Sequence, residues 1–180
     1  HADLMYNVSR ILSKLSLDKQ CRREIKSKCD ANIEAMLRML DLHSHHRGLV
    51  IRVCFVLGNM TASNGTNRRL FVTHNAHRHV ASSTKRKDAD EDGEEEEEED
   101  DACTLGNVFK RYVQEYVALL SITPATISSD EEDVFDRFAA RNKAIEEVDE
   151  ILVKLVRLVA NVAIDPDAGH HLAASSVSST

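Results

Sequence analysis

Tryptophan is absent from this 180-residue chain, and turn formers are scarce, with two prolines and six glycines. A β-sandwich or barrel needs a turn about every ten residues, so this scarcity argues against both. No apolar run reaches the length of about eighteen residues that a bilayer-spanning helix requires, and no signal peptide is visible. Cys21, Cys29, Cys54 and Cys103 form no CxxC pair and lack the density of a disulfide scaffold, which suits reduced thiols in an intracellular protein. A Gly-rich phosphate loop, a nucleophile elbow and an HExxH pair are also missing. The expectation is therefore no enzyme, no cofactor and no small-molecule substrate.

Charge is present but unevenly placed. The formal net charge is −7, yet twelve of the 30 acidic residues lie between Asp88 and Asp101. Without them, 18 acidic residues face 23 Lys and Arg, so the rest of the chain is mildly basic at about +5. Such an acidic run repels itself and buries too little to offset its ordering entropy, which predicts disorder. Lys85-Arg86-Lys87 could suggest a nucleic-acid contact, but its place beside the acidic run favours pairing within the insertion. His43, His45, His46, His74, His77 and His79 match no zinc spacing with Cys or Asp support, so no metal site is expected.

What the chain does have is an internal repeat. Leu49 to Thr61 recurs at Ile151 to Ala163, an offset of 102 residues, with Arg52 on Lys154, Gly58 on Ala160 and Asn59 on Asn161. A weaker copy lies 45 residues earlier, where Leu12 to Ser16 matches Leu57 to Thr61. In the second copy Lys154, Arg157 and Asn161 are three and four apart, opposite Ile151, Leu155, Leu158 and Val162. That is helical period, not strand alternation. The first copy is apolar almost all round, which predicts a helix sandwiched between neighbours. Gly58 and Ala160 predict a close approach of another backbone. Self-similarity near 45 residues marks stacked helical units.

Read along the chain, the order is short, medium and long helix. Residues 1–73 hold one partial unit, one full unit and the start of the next. Asp18 is placed to cap a helix over 19–28, Asp30 to cap the next, and Leu70 and Phe71 anchor another after the turn at 62–66. Residues 74–104 form a His-rich, then acidic, disordered insertion. A helix resumes over 105–120, a loop insertion follows at 121–142, and helices continue over 143–174, with Pro166 ending the long one. Residues 175–180 are read as a disordered tail. The chain opens at His1 within an apparent helix and reads as part of something longer.

Units of about 42 residues ending in Leu-small-Asn-apolar-small resemble the armadillo repeat. The strings Ser9 to Ser16, Phe55 to Ala62 and Leu158 to Ile164 are similar to a ciliary and sperm-flagellar branch of that family. The resemblance implies an all-α, armadillo-type right-handed solenoid of about two full repeats plus partial flanking ones. It also implies a non-catalytic scaffold or adapter for protein partners, among them axonemal components, in the cytoplasm and the cilium or flagellum. Neither a membrane nor a nucleic acid is an expected partner. In armadillo proteins that bind extended peptides, the third-helix Asn lines a concave groove and a Trp four residues earlier packs on the ligand. Here the Asn positions hold Lys14, Asn59 and Asn161, and the Trp positions hold Arg10, Phe55 and Arg157. These six are the candidate partner-binding residues, although Asn59 and Asn161 could instead satisfy groups between stacked helices. A basic cargo peptide would meet Arg10, Lys14 and Arg157 unfavourably. Two other functions stay open: a transport or signalling adapter, and a chaperone whose acidic run holds basic proteins.

Overall fold

Between Leu49 and Thr61 every residue is buried except Arg52, Phe55 and Asn59, because helices pack on nearly every side of this segment. The computed structural model describes residues 1–27, 29–86, 104–122 and 131–177, leaving aside the side chains of 26, 27, 76–86, 104, 131–135 and 175–177. Its helices are α1 (Ala2–Leu15), α2 (Lys19–Ser27), α3 (Cys29–Leu42), α4 (Arg47–Thr61), α5 (Gly65–Arg86), α6 (Thr104–Ser121), α7 (Glu131–Ala163) and α8 (Pro166–Val177). No strand occurs among the described residues.

Packing follows the three-helix order read from the sequence. The third helices α1, α4 and α7 lie side by side with α4 in the middle, the second helices α3 and α6 pack together, and α5 packs against α8. Thus α2, α3 and α4 make one unit and α5, α6 and α7 the next, flanked by a third helix (α1) and a first helix (α8). The fold is an all-α armadillo-type solenoid.

Side-chain size explains the third-helix seam. Ser9 and Ser13 of α1 and Ser16 just past its end are buried, and each hydroxyl donates to a carbonyl three residues back (2.8, 2.9 and 2.8 Å), so none of these hydroxyls is stranded. The repeat offset places Cys54, Gly58 and Thr61 at the same positions of α4, all buried, and Val156, Ala160 and Ala163 on α7, all exposed. The opposite stripe repeats the logic. Leu49, Val53, Val56 and Met60, like Ile151, Leu155, Leu158 and Val162, are at most 1% exposed. Their α1 counterparts Leu4, Val8, Ile11 and Leu15 are exposed, Leu4 by 57%. Position within the repeat sets the residue type, and the neighbour sets the burial.

Polar ties lock the units together. Arg47, at the start of α4, binds Glu115 of α6 and reaches Glu147 of α7 at 2.9 Å. Tyr112 is fully buried, its hydroxyl donates to the Ser44 carbonyl at 2.6 Å, and burial pushes its pKa up to about 12. Asn67 donates to Met60 O at 2.8 Å and accepts from the Cys29 thiol at 2.9 Å, joining three helices.

Several boundaries differ from the sequence reading. Asp18 caps α2 as expected, accepting from Cys21 N at 2.8 Å, a bond that also lowers the Asp18 pKa. Asp30 does not cap α3, which already starts at Cys29; it lies in the first turn and pairs with His74 at 2.7 Å. The insertion does not begin at 74. α5 continues to Arg86, and buried Asn75 accepts from Leu105 N at 3.2 Å, fixing the start of α6. Residues 131–142 are helical rather than loop. Arg141 explains their register: its guanidinium donates to the Leu119 and Leu120 carbonyls at the end of α6, at 2.8 and 3.5 Å. Pro166 opens α8 rather than merely ending α7, with Asp165 accepting from Ala168 N at 3.3 Å. The acidic run at 88–101 lies outside the described residues.

Candidate partner-binding face

Arg52, Phe55 and Asn59 are spaced i, i+3 and i+7, so they form one stripe along α4. The repeat offset places Asn7, Arg10 and Lys14 at the same positions of α1, and Lys154, Arg157 and Asn161 on α7. All nine side chains are partly or fully exposed. The side-by-side packing of α1, α4 and α7 makes them a grid of three rows on three helices. Five of the nine are cations and none is a carboxylate. All six candidate residues lie on this grid. Arg52 and Lys154 belong to it equally, and their alignment across the repeat was the signal for them.

The two asparagines act alike. Asn161 Nδ2 donates to the Gly58 carbonyl of α4 at 3.1 Å, and Asn59 Nδ2 donates to Ser16 Oγ of α1 at 2.9 Å. Each amide reaches back to the third helix before it. Of the two readings left open by the sequence, the bond between stacked helices is the one these distances display. A close backbone approach at Gly58 is not seen: a Cβ there would meet only Asn161 Nδ2, at 3.9 Å.

At the centre of the grid, Lys154 Nζ sits 5.4 Å from the centroid of the Phe55 ring. The Lys154 ammonium therefore lies over the ring, and it is also 3.9 Å from Glu150. Below the stripe, Cys54 is buried, and burial pushes its thiol up to about 12, so it packs as a protonated side chain. Histidines sit elsewhere. His46 accepts from Leu49 N at 3.2 Å to cap α4 and stacks on Tyr6, with ring centroids 5.4 Å apart. Among the described residues no group of three or more His, Cys, Asp or Glu is placed to hold a metal ion. Nor is any described helix long and apolar enough to cross a membrane.

Stacked three-helix units with an open third-helix stripe are the architecture of an armadillo-type solenoid. Comparison with known proteins agrees. The chain is 27% identical over 175 residues to "Armadillo repeat-containing protein 2" of Homo sapiens, and 29% identical over 177 residues to that of Mus musculus. The Bos taurus protein of the same name is 29% identical over 176 residues. These alignments take in 96%, 96% and 97% of this chain and support the armadillo repeat family. The chain spans only 16% of the length of each relative. No family model matches the chain, and no solved structure matches it.

Proposed function

We propose that this chain is part of a non-catalytic protein-interaction scaffold whose third-helix face docks a protein partner. The observation that carries this reading is the α4 stripe, where a helix otherwise buried from Leu49 to Thr61 leaves only Arg52, Phe55 and Asn59 open. Apolar residues at those positions would be compatible with a helix packed all round. Polar and aromatic ones, with the cation of Arg52 and the amide of Asn59 repeated on α7 as Lys154 and Asn161, suit recognition of something outside the stack.

The setting we propose is the axoneme of cilia and sperm flagella, in its assembly or organisation. It rests on the likeness to the armadillo proteins named above and on the ciliary branch that the third-helix strings resemble. The test is to express the tagged chain in ciliated cells beside a variant carrying Arg10→Ser, Phe55→Ser and Arg157→Ser. Axonemal enrichment of the parent and its loss in a variant of unchanged helicity is the expected result. A diffuse parent refutes the axonemal setting, and equal enrichment of both refutes a role for this face.

A further inference from the structure

We infer that Asn64 is a modification site: it loses its amide by cyclising onto Gly65, and the isoaspartate that forms loosens the junction between the two three-helix units. The sequence singles this residue out. Asn64 is the one asparagine of the chain that is followed by glycine. In cyclisation the next residue's backbone nitrogen attacks the side-chain carbonyl carbon, and a Cβ on that residue would crowd the approach. Glycine has none.

The fold supplies the surroundings. Asn64 and Gly65 are partly exposed at the turn between α4 and α5, and Gly65 is the first residue of α5. A nitrogen in the first turn of a helix has no carbonyl four residues back within that helix, and among the described residues nothing accepts from Gly65 N. The nucleophile is therefore free of a competing bond. Asn67 N donates to Asn64 Oδ1 at 3.3 Å, which polarises the amide and stabilises the oxyanion formed when the nitrogen adds. Two charged groups flank that nitrogen. A Cβ on Gly65 would lie 3.5 Å from Asp165 Oδ2 and 3.6 Å from Arg69 Nη2. The carboxylate can take the nitrogen's proton through a water, and the guanidinium faces the charge that develops.

Gly65 N bonds to Asn64 Cγ as its proton passes to Asp165. The bond from Cγ to the amide nitrogen then breaks, the proton is returned to the leaving nitrogen, and ammonia departs from a five-membered succinimide. Water opens the ring at either carbonyl, giving Asp or isoAsp, and no oxidant or reductant takes part. The two products act differently on the fold. Asp keeps the cap on Asn67 N, and its charge suits the start of a helix. IsoAsp adds a methylene to the backbone between α4 and α5 and withdraws the cap from Asn67, whose buried amide ties Met60 O to the Cys29 thiol. Arg68 spans the same turn, donating to the Thr61 and Ala62 carbonyls at 2.9 and 2.8 Å. Because this turn joins one unit to the next, the change falls on the contact between them.

The experiment ages the full 180-residue chain in mildly alkaline buffer at body temperature. Peptide mapping by mass spectrometry follows the mass gain of amide to acid at each asparagine. IsoAsp is read by methylation of its free α-carboxyl with S-adenosylmethionine and an isoaspartate methyltransferase. Asp92-Gly93 is a second source of isoAsp but gains no mass, so mapping separates the two. Asn64 should convert about tenfold or more faster than every other asparagine, and Gly65→Ala, whose Cβ makes only ordinary contacts, should remove that excess. Asp165→Asn keeps the acceptor for Ala168 N and should slow conversion severalfold at unchanged helicity. The aged chain should show faster amide exchange at the start of α5 and a lower urea midpoint, and Asn64→Asp should show neither. Conversion of Asn64 no faster than that of the other asparagines, or slower than in a free peptide of residues 60–68, overturns the site. An unchanged rate in Asp165→Asn overturns the part given to that carboxylate. An unchanged urea midpoint with isoAsp present overturns the loosened junction.

Discussion

Gly58 and Ala160 occupy the same repeat position in different surroundings, so matched substitutions at the two isolate what the neighbouring helix contributes. Gly58 is buried on α4 against α7, and Ala160 is exposed on α7. A Cβ at Gly58 meets only Asn161 Nδ2, at 3.9 Å, an ordinary contact. Gly58→Ala should therefore stabilise, by up to about 1 kcal/mol of helix propensity. Gly58→Leu places three further carbons in that seam, an overpacking cost of about 1–3 kcal/mol. It also displaces Asn161 from the Gly58 carbonyl, a bond worth about 1 kcal/mol. The carbonyl is not stranded, since Ala62 N at 3.0 Å and Thr61 Oγ1 at 3.3 Å still reach it. With the propensity gain of Leu set against these costs, the net loss is about 1–3 kcal/mol. At exposed Ala160 the change to Leu should stay within about 0.5 kcal/mol. Urea unfolding followed by far-UV circular dichroism reads all three. Gly58→Leu as stable as Gly58→Ala, or Ala160→Leu as costly as Gly58→Leu, refutes the packed seam.

Arg141→Gln should cost about 0.5–2 kcal/mol and speed amide exchange in the last turn of α6, because the carbonyls of Leu119 and Leu120 lose a cationic partner; unchanged exchange there counts against the cap. Arg47→Met leaves Glu115 and Glu147 without their shared cation, and should destabilise by about 1–3 kcal/mol, softened by the partial exposure of both carboxylates. Adding Glu147→Gln should recover part of that loss in the same urea assay, and no recovery defeats the shared tie. The Cys54 and Tyr112 pKa values are raised from ordinary values of 9.0 and 10.0 to about 12, so the folded state holds these protons more tightly. Their stabilisation is full below pH 9.0 and 10.0 respectively and is lost as pH rises toward about 12. Cys54→Ala should flatten the decline of the urea midpoint that begins near pH 9, and an identical profile would contradict burial of the thiol.

Legibility in the sequence followed chain distance and periodicity. The third helices were readable because Leu49 to Thr61 and Ile151 to Ala163 carry the same stripe, and the two copies corrected each other. The helical stretch at 131–142 was not. Its charges hide the start of a stripe (Phe138 and Arg141, continued by Ile145 and Val148) in which the charged Arg141 serves the end of α6. The length of α5 was obscured likewise, since His74 and Asn75 look like the start of a polar run until Asp30 and Leu105 N supply their partners. Arg47 with Glu115 and Glu147 spans 68 and 100 residues, and no local pattern announces such a tie. At the candidate face the six residues were readable by analogy. What their amides bind was not, because Ser16 and Gly58 become neighbours of Asn59 and Asn161 only when the helices stack.

The same stacking explains why the face is polar and narrow. In a one-dimensional stack, each unit is stabilised chiefly by contact with the next, so the third helix must give its seam positions to its neighbours and its inner stripe to the core. Leu4, Leu49 and Ile151 show the size of that effect: one repeat position, exposed by 57% on α1 and by 0% on α4 and α7. On α4 the two seams and the core take ten of the thirteen positions from Leu49 to Thr61, and the three that are left lie in one line. A line one side chain wide along α4 offers little continuous apolar area. Residue choice along it is thereby released from packing, and cations can collect there at little cost to the fold.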